Sequence, residues 1–131
     1  MALFREETEL EQYLGIQYLE RTPDRVVATM PVDTRHHQPM GYLHGGVSVL
    51  LAETVVSIGG SLRVMPEGKV CMGQEINANH VRPVRSGTLK AIGTPIHVGR
   101  NTQVWEARIF DDQERLVCIS RCTLAVVSIH R

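Results

Sequence analysis

An excess of charge of either sign is missing from this chain. Lys+Arg and Asp+Glu each number 14 in 131 residues, so the formal net charge is zero. Non-specific nucleic-acid binding draws on a basic excess or a basic face, so no nucleic-acid partner is expected. A local basic cluster can still hold a small anionic ligand. Cysteine is scarce as well. Cys71, Cys118 and Cys122 make an odd number, and none forms a CxxC pair. Small buried thiols in a reducing cytosol are the expectation, and a thiol nucleophile has no motif behind it. No run of about 18 uncharged apolar residues occurs, so no membrane span is expected. Met1 to Glu11 is acidic and lacks the basic-then-apolar layout of a secretory signal. The expectation is a soluble cytoplasmic protein. Neither GxGxxG nor GxxxxGK[ST] is present, so nucleotide-cofactor chemistry is not indicated.

What is present suits one globular domain spanning residues 1–131. Hydrophobic residues make up 43% and charged residues 21%, which is enough apolar material for a real core. Leu3 to Leu14 reads as a short helix with Leu3, Leu10 and Leu14 as a thin apolar stripe, stopped by Gly15. Ile16 to Glu20 and Arg25 to Val32 read as a hairpin around Thr22-Pro23-Asp24. In the second strand Val26, Ala28, Met30 and Val32 alternate on one side. Asp33 to His44 is a loop dense in polar side chains. Gly46 to Met65 is the one long helical stretch. Its apolar residues cover nearly the whole circumference, the mark of a buried helix, and Pro66 and Gly68 end it. Strands follow over Val70–Val81, Thr88–Val98, Thr102–Phe110 and Leu116–Val127, read as a four-strand meander. One antiparallel sheet curled around one apolar helix, an α+β architecture, accounts for the whole pattern.

Glu53 is the most informative residue. It lies between Ala52 and Thr54 in the most apolar segment of the chain. A carboxylate there is costly unless it is paired, hydrogen-bonded or part of a site. A helix face that reaches water at one point would explain it equally well. The helix start is the second signal. His44-Gly45-Gly46 leaves backbone N–H groups and a positive dipole end accessible, a place where a carbonyl oxygen can be polarised. Gly45-Gly46 also suits a plain tight turn. The two signals lie eight residues apart, about 12 Å along a helix, so one small carbonyl group cannot touch both. They meet if two copies pair antiparallel across a two-fold axis. A shared site therefore requires a homodimer.

Gln38-Pro39-Met40-Gly41-Tyr42-Leu43-His44-Gly45-Gly46, followed by Leu51-Ala52-Glu53-Thr54, resembles the signature of hotdog-fold thioesterases of the 4-hydroxybenzoyl-CoA thioesterase type. The resemblance continues through Glu75 to Arg82 and through His97-Val98-Gly99-Arg100, and spans about Ala28 to Val126. Thr54 stands where members often carry Ser, and Met40 where Phe is usual. The resemblance implies hydrolysis of an acyl-CoA thioester. An aromatic acyl group such as 1,4-dihydroxy-2-naphthoyl, of menaquinone synthesis, is favoured. It implies Glu53 as nucleophile or general base and the Gly45 N–H as the group that polarises the carbonyl. Gln38 and His44 would orient the thioester, and Thr54 and Ser57 would position water or substrate. Gly73, His80, Val81, Arg82, Pro83, His97, Gly99, Arg100, Asn101 and Thr102 would line the CoA groove, with the arginines near phosphates. No metal and no cofactor is implied, because coenzyme A belongs to the substrate. A dimer, and a dimer of dimers, is implied, and a carrier-protein thioester is an alternative substrate.

The residues themselves agree with this chemistry. A thioester needs an attacking group and stabilised charge on its oxygen, but no strong acid, because thiolate leaves readily. Arg guanidinium suits phosphate. His36, His37 and His44 lack Cys or carboxylate partners at ligand spacing, which argues against zinc. Taken alone, His80 and His97 would read as core or surface histidines, and Arg85 as a solvated charge. Two rivals remain. A hotdog dehydratase would bring an Asp/His pair in a different order. A non-catalytic acyl-CoA-binding module would keep the groove without a buried carboxylate.

Overall fold

A computed structural model describes residues 7–129. The elements run α1 (Glu9–Leu14), β1 (Gln17–Arg21), β2 (Val26–Val32), α2 (Gly45–Val64), β3 (Lys69–His80), β4 (Gly87–Val98), β5 (Thr102–Phe110) and β6 (Leu116–Ser128). The Leu3 end of the expected first helix lies outside the described residues. Within them, Thr8 caps α1 by accepting the Glu11 N–H at 3.2 Å, and Gly15 ends it at φ 77°. Leu14 turns inward, but Leu10 is 53% exposed, so the expected apolar stripe shrinks to its last residue.

The sheet is antiparallel throughout, in the order β1-β2-β4-β5-β6-β3. This corrects the expected four-strand meander. Only β4, β5 and β6 run as a meander. β3 leaves the end of α2, takes the far edge against β6, and the chain then crosses to β4. Alternation of apolar residues identifies a strand but carries no information about its neighbour. β3 is 12 residues long, and its outer edge has no partner strand among the described residues.

The sheet wraps α2, the α+β hotdog arrangement. Val26, Ala28, Met30 and Val32 of β2 are all buried, as their alternation required. Leu51, Ala52, Val55 and Val56 of α2 are fully enclosed against them. By length and composition Gly45–Glu67 would pass as a membrane span, but the sheet accounts for its apolar character. The helix departs from the expected all-round burial along one stripe. Val49, Leu50, Glu53, Thr54 and Ser57 are only partly covered.

Two glycines let the helix settle close to the sheet. A Cβ on Gly59 would meet the Trp105 ring, with Cζ3 at 2.7 Å, and one on Gly60 would meet Leu124 Cδ1 at 2.7 Å. Trp105 is fully buried and donates its Nε1–H to Gln103 Oε1 at 2.8 Å. Gln103 in turn donates to the Gly60 carbonyl at 3.4 Å. Ser61 accepts the Cys71 N–H at 2.9 Å, which ties the helix to β3. These contacts fix the rotation of α2 and hence the residues its open stripe presents. Gly59→Ala should therefore lower stability by about 1–3 kcal/mol through overpacking. Denaturant unfolding monitored by the single tryptophan measures it directly.

Candidate active site

The loop ahead of α2 is held by its own histidines. His36 is fully buried. Its Nδ1 accepts the Asp33 N–H at 3.1 Å, and its Nε2–H donates to the Leu14 carbonyl at 2.8 Å. His37 Nε2 bonds the Arg85 carbonyl at 2.7 Å. His44 caps α2, with Nδ1 accepting the Gly46 N–H at 2.8 Å. The Gln38 side-chain oxygen accepts the Met40 N–H. The Gly45 N–H has no hydrogen-bond partner among the described residues. His36 and His37 are thus struts of the loop. Arg85, expected as a solvated charge, lies over the Tyr42 ring at 4.5 Å and donates to its hydroxyl at 3.1 Å.

The open stripe of α2 floors a cleft of about 590 Å³. Glu53, Thr54 and Ser57 line it together with Gly46, Val49, Leu50 and Cys71, and α1 adds Leu10 and Glu11 as a wall. Glu53 makes no hydrogen bond or ion pair among the described residues, and its carboxylate rests against β3. A Cβ on Gly73 would lie 2.9 Å from Glu53 Cδ and closer still to Oε2. The β3–β6 register slips between Gly73 and Glu75, at the point of that contact. The α1 wall had no sequence signal, because nothing in Leu10-Glu11 indicates which distant helix it will face.

A second cleft, of about 380 Å³, lies on another side of the helix start. Gln38, Tyr42, Gly45, Ser48, His80, Val81, Arg82 and Pro83 line it. The His80 ring covers Gly45 so closely that a Cβ there would sit 2.9 Å from Nε2. His97, Gly99, Arg100, Asn101 and Thr102 form the β4–β5 turn, closed by Gly99 N–H to the Thr102 carbonyl at 2.8 Å. Arg82 and Arg100 are exposed and make no ion pair among the described residues.

One chain therefore does not bring the expected residues together. Gln103 lies in register with Leu124, and Leu124 with Gly73. The β4–β5 turn and Glu53 thus share one end of the sheet. Ile109 lies in register with Cys118, and Cys118 with His80. Gly45 and His80 to Pro83 share the other end, seven residues along β3 from Gly73, or about 23 Å.

The thioesterase superfamily model matches residues 40–118. The chain belongs to this family. A crystal structure of a thioesterase from Haemophilus influenzae superposes on this one with a TM-score of 0.88. The two are 50% identical, over 95% of this chain and 87% of that one. The 1,4-dihydroxy-2-naphthoyl-CoA hydrolase of Escherichia coli is 48% identical to this thioesterase over 88% of this chain and 84% of its own length. The proofreading thioesterase EntH of Cronobacter turicensis is 47% identical over 90% and 85%. The protein is a hotdog-fold thioester hydrolase.

The cysteines of this thioesterase are poorly suited to nucleophilic attack. All three are free and buried. Burial pushes the Cys71 thiol up to about 11. Burial, with the Glu53 and Glu75 charges behind it, pushes Cys122 up to about 12. Cys118 is raised by burial as well. All three shifts run upward from the ordinary thiol range, which suppresses the thiolate at pH 8 in the folded state. The native protein should leave a thiol reagent at pH 8 nearly unreacted, and three equivalents should appear only on unfolding in guanidinium.

Proposed function

We propose that this thioesterase hydrolyses an acyl-CoA ester at a site shared by two subunits, with an aromatic acyl group such as 1,4-dihydroxy-2-naphthoyl. One observation carries the reading. The two halves of the expected site lie against two points of the same open edge strand, Glu53 on Gly73 and Gly45 on His80. A 12-residue edge with free N–H and C=O groups is a template for another strand. Antiparallel pairing of β3 with its own copy about an axis near Ile76 and Asn77 puts Gly73 opposite the partner's His80. Glu53 then faces the partner's Gly45. The same operation brings the β4–β5 turn and the partner's His80 to Pro83 to one end of the joined sheet. A single two-fold axis thus reunites both separated sets, and it covers the half-open Val49 and Leu50.

The chemistry follows from those positions. The thioester carbonyl oxygen accepts the free Gly45 N–H, where the positive end of α2 adds to the polarisation. Gln38 and His44, on the loop beside it, hold the group in place. Glu53 attacks the carbonyl carbon or takes a proton from an attacking water, and Thr54 and Ser57 fix the water or acyl group in the same cleft. The C–S bond breaks and coenzyme A leaves as thiolate, so the step needs neither metal nor cofactor. Arg82 and Arg100, free of ion pairs, meet the phosphates, with Gly73, Val81, Pro83 and the His97–Thr102 turn as groove walls. Exposed Leu19 and Ile96 on the sheet favour a dimer of dimers. Free thiols and a CoA substrate favour the cytoplasm, and residues 1–131 serve as one domain.

Glu53→Ala should lower kcat on acyl-CoA esters by about 10²–10⁴-fold while substrate still binds. Tight binding without cleavage by wild type would make the protein a binding module. Sharing of the site has its own test. Gly45→Ala, whose Cβ would strike the His80 ring, and Glu53→Ala should each be inactive alone. Unfolded together and refolded, they should recover about a quarter of wild-type activity, because half the dimers are mixed and each carries one intact site. No recovery, or an active monomer in sedimentation, would overturn the shared site.

A further inference from the structure

Among the described residues four buried side-chain polar atoms lack a hydrogen-bond partner: Glu11 Oε2, Tyr18 Oη, Ser48 Oγ and Arg63 Nε. Three have a local explanation. The Glu11 carboxylate and the Tyr18 hydroxyl face each other. Burial first, and then the Glu11 charge, push the phenol well above its usual range. Arg63 spends its Nη2 on the Pro23 carbonyl at 3.1 Å and on the Asp24 carboxylate. Ser48 has no such arrangement, although it is only 1% exposed.

A helical serine commonly turns its hydroxyl back to the carbonyl four residues earlier. Here that carbonyl, on His44, receives the backbone N–H of Val47 at 3.0 Å and of Ser48 at 3.4 Å, and the hydroxyl makes no bond. A buried hydroxyl without a partner lowers stability. Alanine at this helix position would remove that penalty and improve helix propensity. The hydroxyl therefore has no role in holding the fold. Its position suits another role. Ser48 is three residues past Gly45, on the same face of α2. Helical side chains lean toward the N-terminus, which carries Ser48 Oγ back beside the first turn. Gly45 and Ser48 line the same cleft with Gln38, His80 and Arg82. Gly45, with its free N–H, and Ser48, with its free hydroxyl, thus border the same cleft.

We infer that Ser48 is a second donor to the thioester carbonyl oxygen, beside the Gly45 N–H. The assignment rests on the reading of Gly45 given above. When the carbonyl carbon is attacked, the C=O π pair moves onto oxygen and the hydrogen bond from Ser48 strengthens. When the C–S bond breaks, the pair returns, the carbonyl re-forms and the thiolate departs. Ser48 keeps its proton throughout. Such a bond is worth more on the charged oxygen than on the neutral one.

The test uses full-length wild type, Ser48→Ala, Ser48→Thr and Glu53→Ala. Ser48→Ala should lower kcat about 10²-fold with KM little changed, while its Tm is equal to wild type or higher. Its affinity should fall for a CoA thioether that carries a ketone oxygen in place of the thioester carbonyl. Affinity should be unchanged for the thioether with a methylene there. Ser48→Thr, which keeps a hydroxyl, should restore part of kcat. A Ser48→Ala enzyme with wild-type kcat overturns the assignment. So does one with a lowered Tm, because the hydroxyl would then be serving the fold. Loss of activity in Glu53→Ala beside an unimpaired Ser48→Ala removes the Ser48 assignment alone. An active Glu53→Ala removes the reading of the site and this assignment with it.

Discussion

The contact between α2 and the strand pair β5–β6 sets the rest of the molecule. Gly59 and Gly60 allow the Trp105 ring and the Leu124 side chain to approach where any Cβ would collide. Gln103 bridges the two layers, accepting from Trp105 and donating to the Gly60 carbonyl. A helix held so closely cannot roll about its axis. Its polar stripe of Glu53, Thr54 and Ser57 therefore has one orientation, away from the sheet interior and into the larger cleft. Its N-terminus is equally fixed, so Gly45 and Ser48 share the smaller cleft. The placement of both half-sites follows from packing about one turn beyond Ser57.

Much of this was legible in the chain. Strict alternation in Val26 to Val32 gave a strand with its inner face assigned, and each of those inner residues is buried. The apolar surroundings of Glu53 marked it, and it does line a cleft. The eight-residue spacing between Gly45 and Glu53 already implied that one chain cannot unite them, and they occupy separate clefts. Other features left no local trace. The position of β3 beside β6 depends on where the chain crosses after His80, which no periodicity encodes. Val49 and Leu50 look like core residues in the sequence, yet they lie on the stripe that the sheet does not reach. Ser48 carried no sequence signal, because only its burial and its lack of a partner distinguish it. Arg85 reads as a surface charge and is exposed, but its stacking on Tyr42 depends on a contact 43 residues away.

The polar groups divide cleanly between support and chemistry. His36 and His37 spend ring nitrogens on backbone carbonyls, and their work is to hold the loop that carries Gln38. His44 spends one nitrogen on capping α2. The buried thiols are kept protonated by desolvation. Among the described residues the Glu53 carboxylate, the Gly45 N–H, the Ser48 hydroxyl and the Arg82 and Arg100 guanidinium groups at opposite ends of the sheet have no partner. A folded protein satisfies nearly all of its buried polar groups internally, so a buried group left open beside a cleft is available to a ligand.

The wall that α1 contributes to the larger cleft differs in kind from the floor. The helix has six residues, too few to persist by itself. It is anchored mainly by buried Leu14 and by Arg35, which reaches the Tyr13 carbonyl. The sheet unfolds only as a cooperative whole, but this short segment can detach at far lower free energy. Local melting of these one and a half turns would widen the cleft while the sheet stays folded.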